Sequence, residues 1–298
     1  MFKSVIRRPF NACLPLFIAV RQMLFRRKFE ADFAKDVIGE RKNSHRRSHI
    51  PVSIFIPVAV KDLGRLSRTI KSLREFLQHP ILEIVICGAN EISLTEACAE
   101  LDVKFIDERI VQPISKSEIT YTCNGIDRSG WIYQQLLKIN SIKCCISPHI
   151  LVWDSDTELV QPVNFEYGGK LVIEYSEEHH VPYDACSMKL LGTEPIIKVG
   201  FTCHKILFDR RFLIEMIDLI EARFEMAWYE AIMMSLDSSE ASSFSEYNLY
   251  SSYVTNNHLS SVQLRHWHNF ADRESASRVR RILIQKLFVS VSYHSWAQ

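Results

Sequence analysis

Val52-Ser-Ile-Phe-Ile-Pro-Val58 is almost continuously apolar and rich in β-branched residues. Such a run holds as a strand covered on both faces, which means the interior of a mostly parallel sheet. Ile81 to Cys87, closed by Gly88, repeats the pattern, followed by the shorter Val103 to Ile106 and by Ile150 to Trp153. Between the first two runs Leu63, Leu66, Ile70, Leu73 and Leu77 recur at helical spacing, with Asp62 placed as an N-cap. Trp131 to Ile142 is a second helical stretch, whereas Pro113, Asn124 and Gly125 make residues 108–129 a long loop of the kind that carries function. Downstream the pattern predicts a strand over Gly169–Tyr175, a strand end at Val199–Thr202, mostly helix over Leu207–Leu236, a basic helix over 274–286 and a last strand over Phe288–Tyr293. Alternation of this kind predicts an α/β fold, with a mostly parallel, Rossmann-like sheet, helices on both faces and a helical C-terminal part, in one domain over residues 51–298.

Residues 1–50 stand apart by charge. They hold 12 basic and 4 acidic side chains, a net +8, against 24 and 31, a net −7, in the remainder. An acidic body argues against a nucleic-acid partner. Lys3, Arg7 and Arg8 precede the apolar stretch Ala12–Val20, and Arg21, Arg26, Arg27 and Lys28 follow it. That arrangement suits a basic amphipathic segment on an anionic membrane surface. The alternative is a helix packed on the domain with its cations solvated. His45-Arg-Arg-Ser-His49 reads as a polar linker. No run reaches the roughly 18 apolar residues of a membrane span. The eight cysteines form no C-x-x-C pair, which fits a reduced, cytoplasmic protein, peripheral at most on the inner membrane face.

In Ile150-Leu-Val-Trp-Asp154-Ser-Asp156-Thr-Glu158 an apolar strand runs directly into two carboxylates spaced i, i+2. In extended backbone both side chains share a face and reach one hard cation. Open α/β sheets bind ligands outside the carboxyl ends of their strands. This is the only D-x-D in the chain. On the helix before it, Trp131, Gln134, Gln135 and Lys138 fall at i, i+3, i+4 and i+7, a polar face suited to a nucleotide or phosphate, while Ile132, Leu136 and Ile139 face the sheet.

Ser129-Gly-Trp131-Ile-Tyr-Gln134-Gln135-Leu-Leu-Lys138, Val152-Trp-Asp154-Ser-Asp156-Thr157, Phe201-Thr-Cys-His204 and Phe244-Ser-Glu246-Tyr247-Asn-Leu-Tyr250 together resemble glycosyltransferases of the GT-A superfamily. Within it, the chain resembles a bacterial D-x-D family associated with surface polysaccharide synthesis. The resemblance covers roughly residues 50–295. It implies a nucleotide-sugar donor on the first half of the sheet, Mn²⁺ or Mg²⁺ held by Asp154 and Asp156, and a glycan or lipid-linked acceptor against the C-terminal half. Glu246 is then the candidate base for the acceptor hydroxyl, with a helix N-terminal acid as its structural alternative. His204 is a candidate for binding acceptor or phosphate. His294 is the candidate third metal ligand, with His266 and His268 as rivals.

Two other readings compete. Haloacid-dehalogenase-like phosphatases also carry a strand followed by D-x-D, but on the first strand and with Thr or Val where Glu158 stands here. A non-catalytic membrane scaffold on a degenerate transferase fold would not need Asp154, Asp156 and Glu246. Neither a P-loop nor a G-x-G-x-x-G fingerprint is present, which sets ATPase and dehydrogenase readings aside.

Overall fold

The computed structural model describes residues 3–31, 37–38, 45–271 and 278–293, with side chains from residue 14 onward in the first helix and from residue 281 in the last. Its central sheet runs in the order Lys205–Asp209, His149–Trp153, Val52–Pro57, Ile81–Gly88, Lys104–Asp107. The last four strands are parallel, and Lys205–Asp209 joins them antiparallel. Every residue of Val52–Pro57 is buried, as its almost continuously apolar run requires, with Ser53 satisfied by donating to Glu83. The helix Leu63–Phe76 buries Leu66, Ile70 and Leu73, and the helix Ser129–Ile139 buries Ile132, Leu136 and Ile139. The expected α/β architecture is present, and the helices Arg210–Phe224, Trp228–Ser235 and Glu246–Asn257 form the helical C-terminal part.

Several elements differ from the sequence reading. The expected strand at Gly169–Tyr175 forms as Lys170–Tyr175, but in a separate sheet between Val262–His266 and Glu166–Tyr167. Ser290–Ser292 belongs to a third small sheet, between Asn269–Ala271 and Thr157–Leu159. The stretch 108–129 is a chain of short pieces: a helical turn at Glu108–Val111, a 3₁₀ turn at Lys116–Glu118 and the hairpin Thr122–Cys123 with Ile126–Asp127. Val199–Thr202 is irregular apart from one bridge, Ser176 to Gly200. The main correction concerns Leu207, which lies in the strand Lys205–Asp209, so the helix starts only at Arg210. Asp209, Arg210 and Arg211 interrupt the apolar residues and Asp209 caps the helix, while pairing with His149–Trp153 makes Lys205–Asp209 a strand.

The N-terminal helix, Lys3–Ala31, lies against the body. Its Leu14, Ile18 and Ala19 pack on a small cluster around Phe270 and Phe288, and Phe25 and Phe29 join the main core. The His45–His49 stretch is also tied down, by Ser48 donating to Glu166 and by the Arg46 carbonyl accepting from Asn164. Among the described residues no helix is long and apolar enough to cross a membrane, and the seven cysteines from Cys87 to Cys203 are free thiols.

The two larger sheets are joined by buried charge. Glu174 of the second sheet holds Lys205 of the central sheet at 2.8 Å and Arg265 of its own sheet at 3.0 Å. Burial by itself would raise the Glu174 carboxyl, but the two cations hold it below the ordinary carboxylate range. Because the folded value lies below the unfolded one, this contribution is present at neutral pH and fades as pH falls through the folded value. Glu174→Gln should therefore cost about 3–5 kcal/mol, the usual result of removing one member of a buried ion group. Chemical denaturation at neutral pH measures it, and an unchanged midpoint would contradict the role.

Candidate functional site

The strand His149–Trp153 ends at Asp154, where the chain turns: the Thr157 amide donates to the Asp154 carbonyl at 3.1 Å. Asp154 and Asp156 thus converge through a tight turn rather than through the extended alternation their spacing suggested. The antiparallel neighbour completes the arrangement. Lys205 pairs with Trp153, so the residue before Lys205 falls opposite the residue after Trp153. His204 and Asp154 meet accordingly, with the Asp154 amide on the His204 carbonyl at 2.9 Å and His204 Nδ1 2.9 Å from Asp154 Oδ2. The backbone of His204 is left-handed, φ +58°, a conformation uncommon outside glycine though tolerated by His, and its ring rests on Trp267.

One ligand atom each from Asp154, Asp156 and His204 lies within 4.8 Å of the other two. Two carboxylates and an imidazole suit Mn²⁺, and the carboxylates suit Mg²⁺. His204 Nδ1 and Asp154 Oδ2 are hydrogen-bonded to each other at 2.9 Å, so a cation held by both would replace that bond. The donor set fits a divalent ion.

Behind it stands a buried ammonium. Lys138 Nζ donates to Asp154 Oδ1 at 2.6 Å, to Glu246 Oε1 at 2.7 Å and to the Tyr247 hydroxyl at 3.0 Å. Tyr247 donates in turn to Asp154 Oδ1 at 2.8 Å, and the Glu246 amide donates to Gln135 Oε1 at 3.0 Å. Burial opposes the charge on Lys138, but Asp154 and Glu246 outweigh it and hold the ammonium firmly protonated. Burial raises the Asp154 carboxyl less than Lys138 and His204 lower it, so it stays ionised far below the usual range. Glu246 is raised, chiefly by burial, with Lys138 pulling the other way. With Lys138 balanced by Glu246, Asp154 and Asp156 leave two negative charges for a divalent cation.

A cleft of about 580 Å³ opens beside this group, over the carboxyl ends of Val52–Pro57 and Ile81–Gly88 and the start of the helix Ser129–Ile139. Lys61, Lys116 and Arg128 line it together with the carboxylates of Asp62, Glu108 and Asp127, and Trp131 and Gln134 complete the wall. The Arg128 guanidinium lies over the Trp131 ring, 4.7 Å from its centroid. Asp62, expected as an N-cap, makes no capping bond and lines the cleft instead. Its carboxyl is raised by burial, partly offset by Lys61, and Asp156 raises it further.

The helix face read from spacing therefore divides. Trp131 and Gln134 reach the cleft, whereas Gln135 and Lys138 are 2% and 3% exposed and turn inward, toward the Glu246–Asn257 helix and Asp154. Glu246 is 2% exposed, the first residue of a helix capped by Ser245, and its carboxylate is committed to Lys138. His204 stands with the two aspartates. Of the histidines expected as third ligand, His266 is buried and turned toward Glu177 at 3.5 Å, His268 packs edge-on against it, and His294 lies outside the described residues. Tyr247 enters the sequence reading only within its motif and Asp62 only as an N-cap, neither with a site role. Adjacency to Glu246 was the available signal for Tyr247, and position just after the first strand for Asp62.

The chain is similar to the apo crystal structure of mouse xyloside xylosyltransferase 1, at 12% identity and a TM-score of 0.47 over 84% of this chain and 99% of that one. It is also similar to the galactosyltransferase LgtC in complex with donor and acceptor sugar analogues, at 10% identity and a TM-score of 0.45 over 83% and 88%. No curated protein matches the sequence. A family profile does match, over residues 50–286, the whole of the central sheet, the cleft and the Asp154 group. The chain belongs to that family, described as "Family of unknown function (DUF6492)".

Proposed function

We propose that this protein is a metal-dependent glycosyltransferase, moving a sugar from a nucleotide-sugar donor to a glycan or lipid-linked acceptor of the kind found in bacterial surface polysaccharides. The observation that carries the reading is the Asp154, Asp156 and His204 group at the carboxyl edge of the sheet, with a cleft over the neighbouring strands whose Asp62 feels the charge of Asp156 and whose wall offers an indole face and both cations and carboxylates. Ligands of open α/β sheets bind at this edge.

Asp154, Asp156 and His204 would hold Mn²⁺ or Mg²⁺. When bound, the ion supplies positive charge for the departing diphosphate. The chain supplies the rest. Lys61, Lys116 and Arg128 attract the phosphates, and Trp131 with its stacked Arg128 offers a flat surface to the base. The bond from the anomeric carbon to the diphosphate oxygen breaks, the acceptor oxygen takes its place, and the hydroxyl proton passes to the departing diphosphate or to water. Lys138 and Tyr247 fix Asp154 Oδ1, which leaves Oδ2 on the His204 side. Glu246, buried against Lys138, serves here as a positioning residue that balances the ammonium, in place of the base role expected from sequence. With both its oxygens engaged, Asp154 is poorly placed as the nucleophile a phosphatase would need.

Two measurements test this. With Mn²⁺ present, nucleoside diphosphates should raise the melting temperature, and slow hydrolysis of a nucleotide sugar should be detectable across a donor panel. Asp154→Asn and Asp156→Asn should abolish both responses, while Glu158→Gln keeps them. Wild-type turnover with unchanged metal dependence in either aspartate variant would contradict the assignment.

Glu246→Gln leaves the buried ammonium with one carboxylate fewer, so it should cost about 3–5 kcal/mol of stability. The metal concentration giving half-maximal hydrolysis should rise, because Lys138 then competes harder for Asp154. The double variant with Lys138→Met should recover part of the stability. A drop in turnover of about 10²–10⁴-fold with stability intact would instead make Glu246 the general base.

A further inference from the structure

The N-terminal helix has two apolar faces, and the body covers one of them. On the inner face Leu14, Ile18 and Ala19 meet the Phe270 and Phe288 cluster, and Phe29 packs on Tyr175 with ring centroids 4.2 Å apart. Gln22 donates to the Asn269 carbonyl at 3.0 Å, and Arg21 pairs with Glu177 at 2.9 Å. The outer face carries Leu16, Phe17, Val20, Met23 and Leu24, exposed by 51, 70, 43, 41 and 59%. Their spacing of i, i+1, i+4, i+7 and i+8 makes one continuous stripe. Arg27 continues that stripe at its C-terminal end with Lys28 beside it, both exposed. On the neighbouring helix, Arg278–Leu287, Ile282 is 44% exposed.

A helix that is apolar on both sides is normally buried on both sides, and five large apolar side chains in one stripe mark an interaction surface. The charge of the segment selects the partner. Residues 1–50 carry a net +8, so a second copy seated on the same face would bring two strongly basic segments together. An anionic lipid surface satisfies both features at once: hydrocarbon for the stripe, headgroups for Arg27 and Lys28. We infer that the outer face of the N-terminal helix lies in the surface of an anionic bilayer.

The helix lies in the plane rather than across the bilayer, since its 29 residues are long enough but not apolar enough to span it. Its inner face is tied closely to the site. Asn269, whose carbonyl Gln22 holds, accepts from Ser292 at 3.2 Å, and Ser292 lies 2.9 Å from the Thr157 hydroxyl, directly after Asp156. Resting on the transferase reading above, this anchors the Asp154 group beside the membrane and favours a lipid-linked acceptor over a free glycan.

The experiment uses the full chain and vesicles of phosphatidylglycerol and phosphatidylcholine in equal parts, with phosphatidylcholine vesicles as the neutral control. The protein should sediment with the anionic vesicles only and be released by high salt. Phe17→Ser with Leu24→Ser, and separately Arg27→Glu with Lys28→Glu, should each weaken binding by about tenfold or more without moving the melting temperature. Equal binding by wild type and both variants, no binding by wild type, or a dimer in solution dispersed by the Phe17 and Leu24 changes would overturn the inference. Donor hydrolysis measured without vesicles separates the two readings: vesicle binding with no hydrolysis keeps the membrane face and removes the transferase, and hydrolysis without vesicle binding does the reverse.

Discussion

The antiparallel pairing of Lys205–Asp209 with His149–Trp153 is the constraint on which the site depends. Register alone puts His204 opposite Asp154, because Lys205 is already opposite Trp153. A slip of one residue would turn the imidazole to the other face of the sheet. The same strand anchors the second sheet through Lys205 and Glu174, so the element that aligns His204 is itself held by a buried ion group. The left-handed backbone at His204 is the local cost of that placement, offset by the Asp154 amide bond and the contact with Trp267.

A second layer of order comes from Lys138. Placing an ammonium in the interior is expensive unless charge and hydrogen bonds surround it, and here two carboxylates and a phenol do so. The helix Ser129–Ile139 contributes the lysine, the turn after His149–Trp153 contributes Asp154, and the helix Glu246–Asn257 contributes the other two groups. The network therefore fastens three distant stretches of chain at one point. It also orients Asp154, whose two oxygens are assigned to different partners.

Much of the architecture was legible because it follows from period. Val52–Pro57, Ile84–Cys87 and Ile150–Trp153 are almost continuously apolar, and all of these residues are buried. The D-x-D stood out as two carboxylates at the end of such a run. What could not be read was set by pairing across long sequence distances. Lys205–Asp209 has the same apolar character as the helix after it, and only its partner strand makes it a strand. With that strand unrecognised, His204 had no visible link to Asp154. Spacing likewise put Gln135 and Lys138 on one face with Trp131 and Gln134, but the helix Glu246–Asn257 lies against part of that face and buries them. For the N-terminal helix, charge pattern pointed outward to a membrane while packing holds its inner face on the body, and the two faces reconcile both.

The central claim is that Asp154, Asp156 and His204 together bind a divalent cation. Calorimetric titration of Mn²⁺ into the protein in the presence of a nucleoside diphosphate tests it most directly, with His204→Ala compared beside Asp154→Asn. The account predicts a single binding event per chain that both variants remove or strongly weaken, with Asp154→Asn the less stable of the two in the absence of metal because it also takes a carboxylate from the buried Lys138. Unchanged Mn²⁺ affinity and stoichiometry in both variants would contradict it.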